Sequence, residues 1–289
     1  MCIGTCLEVN RNFVGILAIS FAAALVQPGQ AGEAIVANPA AEAKPGISYA
    51  DLVALAVPGA RLSGETIEVE RDVALRHIDG AEFSVPLSAP VAVSELEAAA
   101  LMLEGRPHLA LLIGLAEGDG SIGPVTGLAL FDVSGAPKLI DVADVGFDRL
   151  VSFTEPASLA VGGGNELLLI SNQHLNAGQF YDAVGILEVE HGKLALVDTV
   201  LMLSDQGCAG SRTQSIQYGT DGEAAERAPV QISVTDRIEG PTEDCEDATP
   251  FEPSETVYSV TYGWDWAAGR YVAAGDGWAA LDAVNEGRF

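Results

Sequence analysis

Positive charge is scarce in this chain: 14 Lys and Arg stand against 41 Asp and Glu, a formal net charge of −27 over 289 residues. Phosphate backbones and anionic membrane surfaces are held by clustered cations. No Lys/Arg cluster occurs, so neither nucleic acid nor anionic lipid is an expected partner. Cysteine is also scarce, at 4 residues. Cys208 and Cys245 stand in the body of the chain with no His between them, too few ligands for a zinc site. No H-E-x-x-H or G-x-S-x-G pattern occurs, and His77, His108, His174 and His191 are scattered, so metalloprotease and serine-hydrolase chemistry have no signature here. Beyond the N-terminus no stretch approaches 18 uninterrupted apolar residues, and the mature chain is expected to have no membrane span.

What is present begins with an export signal. Residues 13–26 form a run of about 14 apolar or small residues, long enough for a signal core and short for a bilayer span. Arg11 gives a positive flank, and Gly29-Gln30-Ala31 is a small-x-small cleavage site. A signal peptide over residues 1–31 is therefore predicted, with a periplasmic or secreted product. Cys2 and Cys6 leave with it. In an oxidising compartment Cys208 and Cys245 are expected to form a disulfide. Its loop of about 38 residues would make it worth roughly 4 kcal/mol by chain entropy. Residues 32–47, rich in Ala and Pro, read as a flexible linker. Ser48 reads as the N-cap of a short helix stopped by Pro58-Gly59.

Residues 48–289 read as a single β-rich domain. Apolar runs bounded by Gly and polar clusters predict strands, including residues 96–103, whose composition would also suit a helix. One pattern recurs at an offset of about 57 residues, near the periods of repeat folds. Ile113 matches Ile170, Leu130 matches Leu187, Gly135 matches Gly192, and Asp141 matches Asp198. A looser third copy runs from Val230 through the Gly269 turn, interrupted by an acidic insertion, and residues 75–85 read as a partial earlier copy. The fold expected is mainly β: repeated antiparallel four-strand meanders in a propeller-like order, or the same hairpins in a two-sheet sandwich or barrel, with a short N-terminal helix. No propeller signature motif occurs, so the architecture implies no function.

The densest polar cluster is Asn172, Gln173, His174, Asn176, Gln179, Tyr181 and Asp182, read as a loop between two strands. Its amide, imidazole and phenol groups can donate and accept hydrogen bonds to a ligand. One repeat earlier the same position holds Glu117 and Asp119, with Ser121, among glycines. Calcium is the cation such oxygens suit, yet the spaced acids and distal Glu of an EF-hand are missing, and no cofactor is expected. Stacked repeats would bring both loops to one rim. His174 with Asp182 or Asp198 would make a base and its orienting partner, but no nucleophile is picked out. Tyr258, Tyr262, Trp264 and Trp266 share one strand parity and are expected to face the core. The expected function is that of an exported, non-catalytic β-repeat protein binding an extracellular or envelope ligand, or a partner, through loops on one face. The alternatives are a hydrolase of a cell-envelope or extracellular polymer and a structural envelope component.

Overall fold

The computed structural model describes residues 33–116, 125–241 and 249–288. The predicted signal peptide, Glu117, Asp119 and Cys245 lie outside the described residues.

The chain is mainly β. The segment expected to be a flexible linker instead carries three short strands, β1 (Ala34–Val36), β2 (Glu42–Lys44) and β3 (Ile47–Ser48). It is held because β1 adds to the edge of a sheet, Ala34 opposite Ala99, and because Lys44 Nζ donates to the Val133 and Gly135 carbonyls. Helix α1 (Tyr49–Ala56) follows. Ser48 caps it: the Asp51 amide donates to Ser48 Oγ (3.1 Å), and the Ser48 amide donates back to the Asp51 carboxylate (2.8 Å). This reciprocal capping box satisfies two otherwise orphaned donors. A small sheet of β4 (Ala60–Ser63), β5 (Thr66–Val69) and β6 (Val91–Val93) comes next. Residues 75–85, read as a partial repeat, contribute only an isolated bridge between His77 and Asp144 and a single 3-10 turn.

Three four-strand antiparallel meanders succeed one another. The first is β7 (Glu95–Leu103), β8 (Arg106–Ala116), β9 (Val125–Asp132) and β10 (Lys138–Asp144). The second is β11 (Leu150–Ala160), β12 (Glu166–Asn176), β13 (Gln179–Glu190) and β14 (Lys193–Gly207). The third is β15 (Gly210–Thr220), β16 (Val230–Glu239), β17 (Ser254–Asp265) and β18 (Arg270–Ala273). The second and third are continuous in one eight-stranded sheet, and neither large sheet closes into a barrel among the described residues.

The meanders stack face to face. On β12, Leu168 and Ile170 pack with Leu112, Leu128 and Leu130 of the first meander, while Leu167 and Leu169 pack with Val230, Ile232 and Val260 of the third. A strand buried on both faces has no polar side, which is why this run is continuously apolar rather than alternating. β9 behaves likewise: Leu128 and Leu130 face the second meander, and Ala129 and Phe131 face Leu52 and Val53 of α1. β14 pairs with β15 only over Asp205–Gly207, so the eight-stranded sheet turns back there. Helix α2 (Ala279–Glu286) covers the open side with Leu281, after Trp278.

The register of two matched positions differs from expectation. Ile113 and Ile170 both lie on second strands, but Ile113 pairs with Gly127 and Ile170 with Gly185. The paired positions are 14 residues apart in the first meander (127 − 113) and 15 in the second (185 − 170), and a one-residue slip reverses every side chain. Leu130 therefore faces the layer after its own meander, whereas Leu187 faces the layer before.

Candidate functional site

The polar cluster read as a loop is a paired hairpin. β12 and β13 remain hydrogen-bonded from Leu168↔Leu187 to Asn176↔Gln179, and only Ala177 and Gly178 form the turn. Both have positive φ, 48° and 87°, the two-residue geometry that matches strand twist. Because side chains alternate, the cluster is divided between two faces.

On one face Asn172 is fully buried, and its Oδ1 accepts the Phe147 amide (2.7 Å) and the Asp148 amide (3.3 Å). It thereby fixes the turn that carries Asp148. The Asp148 carboxylate bonds His174 Nδ1, and the His174 ring stacks on Tyr181 with centroids 4.3 Å apart. Tyr181 donates its hydroxyl hydrogen to Gln179 Oε1 (2.8 Å). The orienting acid of His174 is thus Asp148, and neither Asp182 nor Asp198 fills that place. Asp182 lies on the opposite face, accepting from the Ser171 hydroxyl (2.7 Å) and from Gln173 Nε2, its carboxyl pushed up by burial. Asp198 accepts the Tyr262 hydroxyl (2.7 Å). Asn176 is exposed at the tip. Neither of the two cavities described below is lined by any residue from Asn172 to Asp182.

The opposite end of the strands holds a cleft of about 370 Å³, within the range of small-molecule sites. Four turns converge there: β7–β8, β11–β12, β13–β14 and β17–β18. Glu188, 5 % exposed, accepts the Tyr271 amide (3.2 Å). Burial pushes its carboxyl up to about 7, against the opposing effects of that amide and of Arg227. Glu166 is also buried and pushed upward by burial, and it accepts the Ser158 hydroxyl (2.6 Å). The Arg227 guanidinium lies over the Trp264 ring and donates to Asn165 Oδ1 (3.2 Å), which also accepts the Glu104 amide. Asn165 thereby ties two of the turns to the guanidinium. Among the described residues Arg227 forms no ion pair within 4.0 Å. Trp264 meets Trp266 edge-on at 6.2 Å, and Trp266 is 70 % exposed. A second, larger cavity of about 670 Å³ lies between β1 and β11, lined by Glu97, Phe153 and Pro156.

Sequence reasoning missed this cleft. The available signal was parity: Glu188 shares the buried face of β13 with Ile186, a place where a carboxyl is costly and calls for a reason. Arg227 follows Asp221, Glu223 and Glu226, neighbours that give no local sign of a cation turned inward.

Among the described residues no group of three or more His, Cys, Asp or Glu side chains could hold a metal ion, and no helix is long and apolar enough to cross a membrane. The segment considered for calcium, with Glu117 and Asp119, is outside the described residues. The chain matches no protein family, no curated protein and no solved structure.

Proposed function

We propose that this chain is an exported binding protein that seats a small ligand in the cleft at the turn-bearing end of its meanders, without transforming it. One observation carries the reading: Glu188, Arg227 and Trp264, far apart in sequence, line a single cavity beside Asn165. The mixture of carboxyl, guanidinium, amide and indole groups in a concave site is the pattern of ligand recognition. Glu166 accepts the Ser158 hydroxyl and Glu188 the Tyr271 amide, bonds that fix both carboxyls in the cleft wall while leaving lone pairs for a ligand. Small molecules of mixed charge, screened by nuclear magnetic resonance against the parent and Arg227→Ala, test the reading. Binders lost in the variant are expected; binders indifferent to it would place the seat elsewhere.

Export and the Cys208–Cys245 disulfide belong to the same proposal. The apolar run at residues 13–26 supports the first. For the second, Ser211 pairs with Glu239, and the Phe251 amide donates to the Ala209 carbonyl (2.7 Å). Both flanks of residues 242–248 are thus anchored at the Cys208 turn. Intact mass should rise by about two daltons on reduction of the mature protein; no change would remove the bridge. Successive meanders support repeats in a propeller-like order, and so do Asp141 and Asp198, which accept hydrogen bonds from Leu194 and Tyr262 of the following layer.

A second reading keeps the β12–β13 hairpin as a partner surface. Leu175 and Phe180 are cross-strand neighbours at its tip and are exposed, at 69 % and 39 %. β8 ends and β9 begins at the same end of the stack; Glu117 and Asp119, between them in the sequence, lie outside the described residues. Pull-down with Leu175→Ser/Phe180→Ser against the parent separates this reading from the cleft.

A further inference from the structure

We infer that the ligand of the cleft is a neutral saccharide, with Trp266 as the platform for a sugar ring and Glu188, Glu190 and Arg227 as its hydroxyl-binding groups. The inference rests on the cleft being the ligand seat and adds the chemical class.

Charge narrows the class first. A protein of net charge −27 repels anions at long range, which disfavours phosphorylated or acidic ligands. A cationic ligand would meet Arg106 and Arg227 among the carboxyls of Glu104, Glu166, Glu188 and Glu190, so the lining carries both signs and is built for neither alone. A neutral ligand avoids both penalties. The polar lining then asks for a molecule that donates and accepts at closely spaced points. Carboxyl oxygens of Glu188 and Glu190 accept hydroxyl hydrogens, while the fixed fork of Arg227 donates to hydroxyl oxygens.

The aromatic groups supply the remaining feature. Trp266 exposes 70 % of its surface although it adjoins Trp264, which lines the cleft, and belongs to the same turn as Gly269, another lining residue. A large ring left in water beside a polar cleft loses stabilisation that burial would give. A pyranose has what this arrangement lacks: an apolar C–H face for the indole and hydroxyls at its rim. Trp264 itself is occupied, with Arg227 over its ring and Tyr271 edge-on at 5.2 Å, so it holds the guanidinium in place while Trp266 is free to stack.

The test is intrinsic tryptophan fluorescence of the mature chain, titrated with malto-, cello- and N-acetylchito-oligosaccharides, with oligogalacturonate and spermidine as charged probes. A saturable change with at least one neutral series is expected, weakened tenfold or more by Trp266→Ala and by Glu188→Gln. Trp266 is exposed, so the thermal midpoint of Trp266→Ala should match the parent, which separates lost binding from lost folding. Saturation by a charged probe alone, abolished in Arg227→Met, would overturn the saccharide class and leave the cleft as the seat. Neutral sugars bound equally by parent and all variants would overturn the assignment of these residues. Absence of response to every probe would overturn both the class and the seat.

Discussion

The guanidinium carbon of Arg227 lies 3.9 Å from the centroid of the Trp264 ring. The contact fastens the connection between β15 and β16 to the end of β17, and through Asn165 to the turns of two other hairpins. A planar cation on an indole face is attracted by the ring quadrupole, by about 0.5–2 kcal/mol according to its desolvation. Arg227→Ala is expected to lower the unfolding free energy by about 1 kcal/mol in urea, while Arg227→Lys, which keeps charge without the plane, falls between. Equal urea midpoints for parent and Arg227→Ala would mean the contact contributes nothing.

Glu188 should make stability depend on pH. Its folded carboxyl titrates near 7 against an ordinary value of 4.5, because burial disfavours the charged form. Between those values the native state keeps a proton that the unfolded chain has released. The contribution is therefore fully present below pH 4.5 and lost as pH rises through about 7. The loss is on the order of 3 kcal/mol. Glu188→Gln should be more stable than the parent at pH 8 and show a shallower decline between pH 5 and 8, read from urea midpoints. A slope remains, because Glu97, Asp144, Glu166 and Asp182 are also pushed upward by burial.

Asn285 holds the place where the large sheet turns back. It is fully buried; its Nδ2 donates to the Leu201 carbonyl (2.9 Å), and its Oδ1 accepts from Gln214 Nε2 (2.8 Å). Gln214 Oε1 in turn accepts the Leu203 amide (2.8 Å). Asn285→Ala leaves buried polar groups unpaired, at a cost of about 2–4 kcal/mol. Calorimetry should show a lower midpoint with the strand content of the circular dichroism spectrum unchanged.

Asn172 is expected to matter through its neighbour. Asn172→Ala removes the acceptor of the Phe147 and Asp148 amides, at about 1–3 kcal/mol. It should also loosen the turn that presents Asp148 to His174. The His174 imidazole resonances, followed by nuclear magnetic resonance at one pH, should move in Asn172→Ala and not in Asn176→Ala, whose side chain is exposed at the tip.

Short-range features were legible in the sequence because they depend on neighbours along the chain. Ser48 and Asp51 lie three positions apart and build their capping box within one turn. Gly192 marks a tight turn, and the Leu167–Ile170 run is a strand. The hairpin tip reads as a loop in the sequence because Asn172, Gln173 and Asn176 have loop-like composition. Pairing with Asp182, Tyr181 and Gln179 overrode that weak local preference. The repeat offset matches residue types, but Ile170 and its partner Gly185 are one residue further apart in sequence than Ile113 and Gly127, which puts Leu187 on the other face.

By itself the sequence determined an acidic, mainly β chain with a capped helix and stacked strands, since periodicity, turn chemistry and charge balance are properties of composition and spacing. Only tertiary structure decided that Glu188, Arg227 and Trp264 share a cleft and that His174 meets Asp148. Such meetings depend on where the β14–β15 corner returns one layer upon another, and on single-residue differences in pairing register that reverse which face a side chain takes.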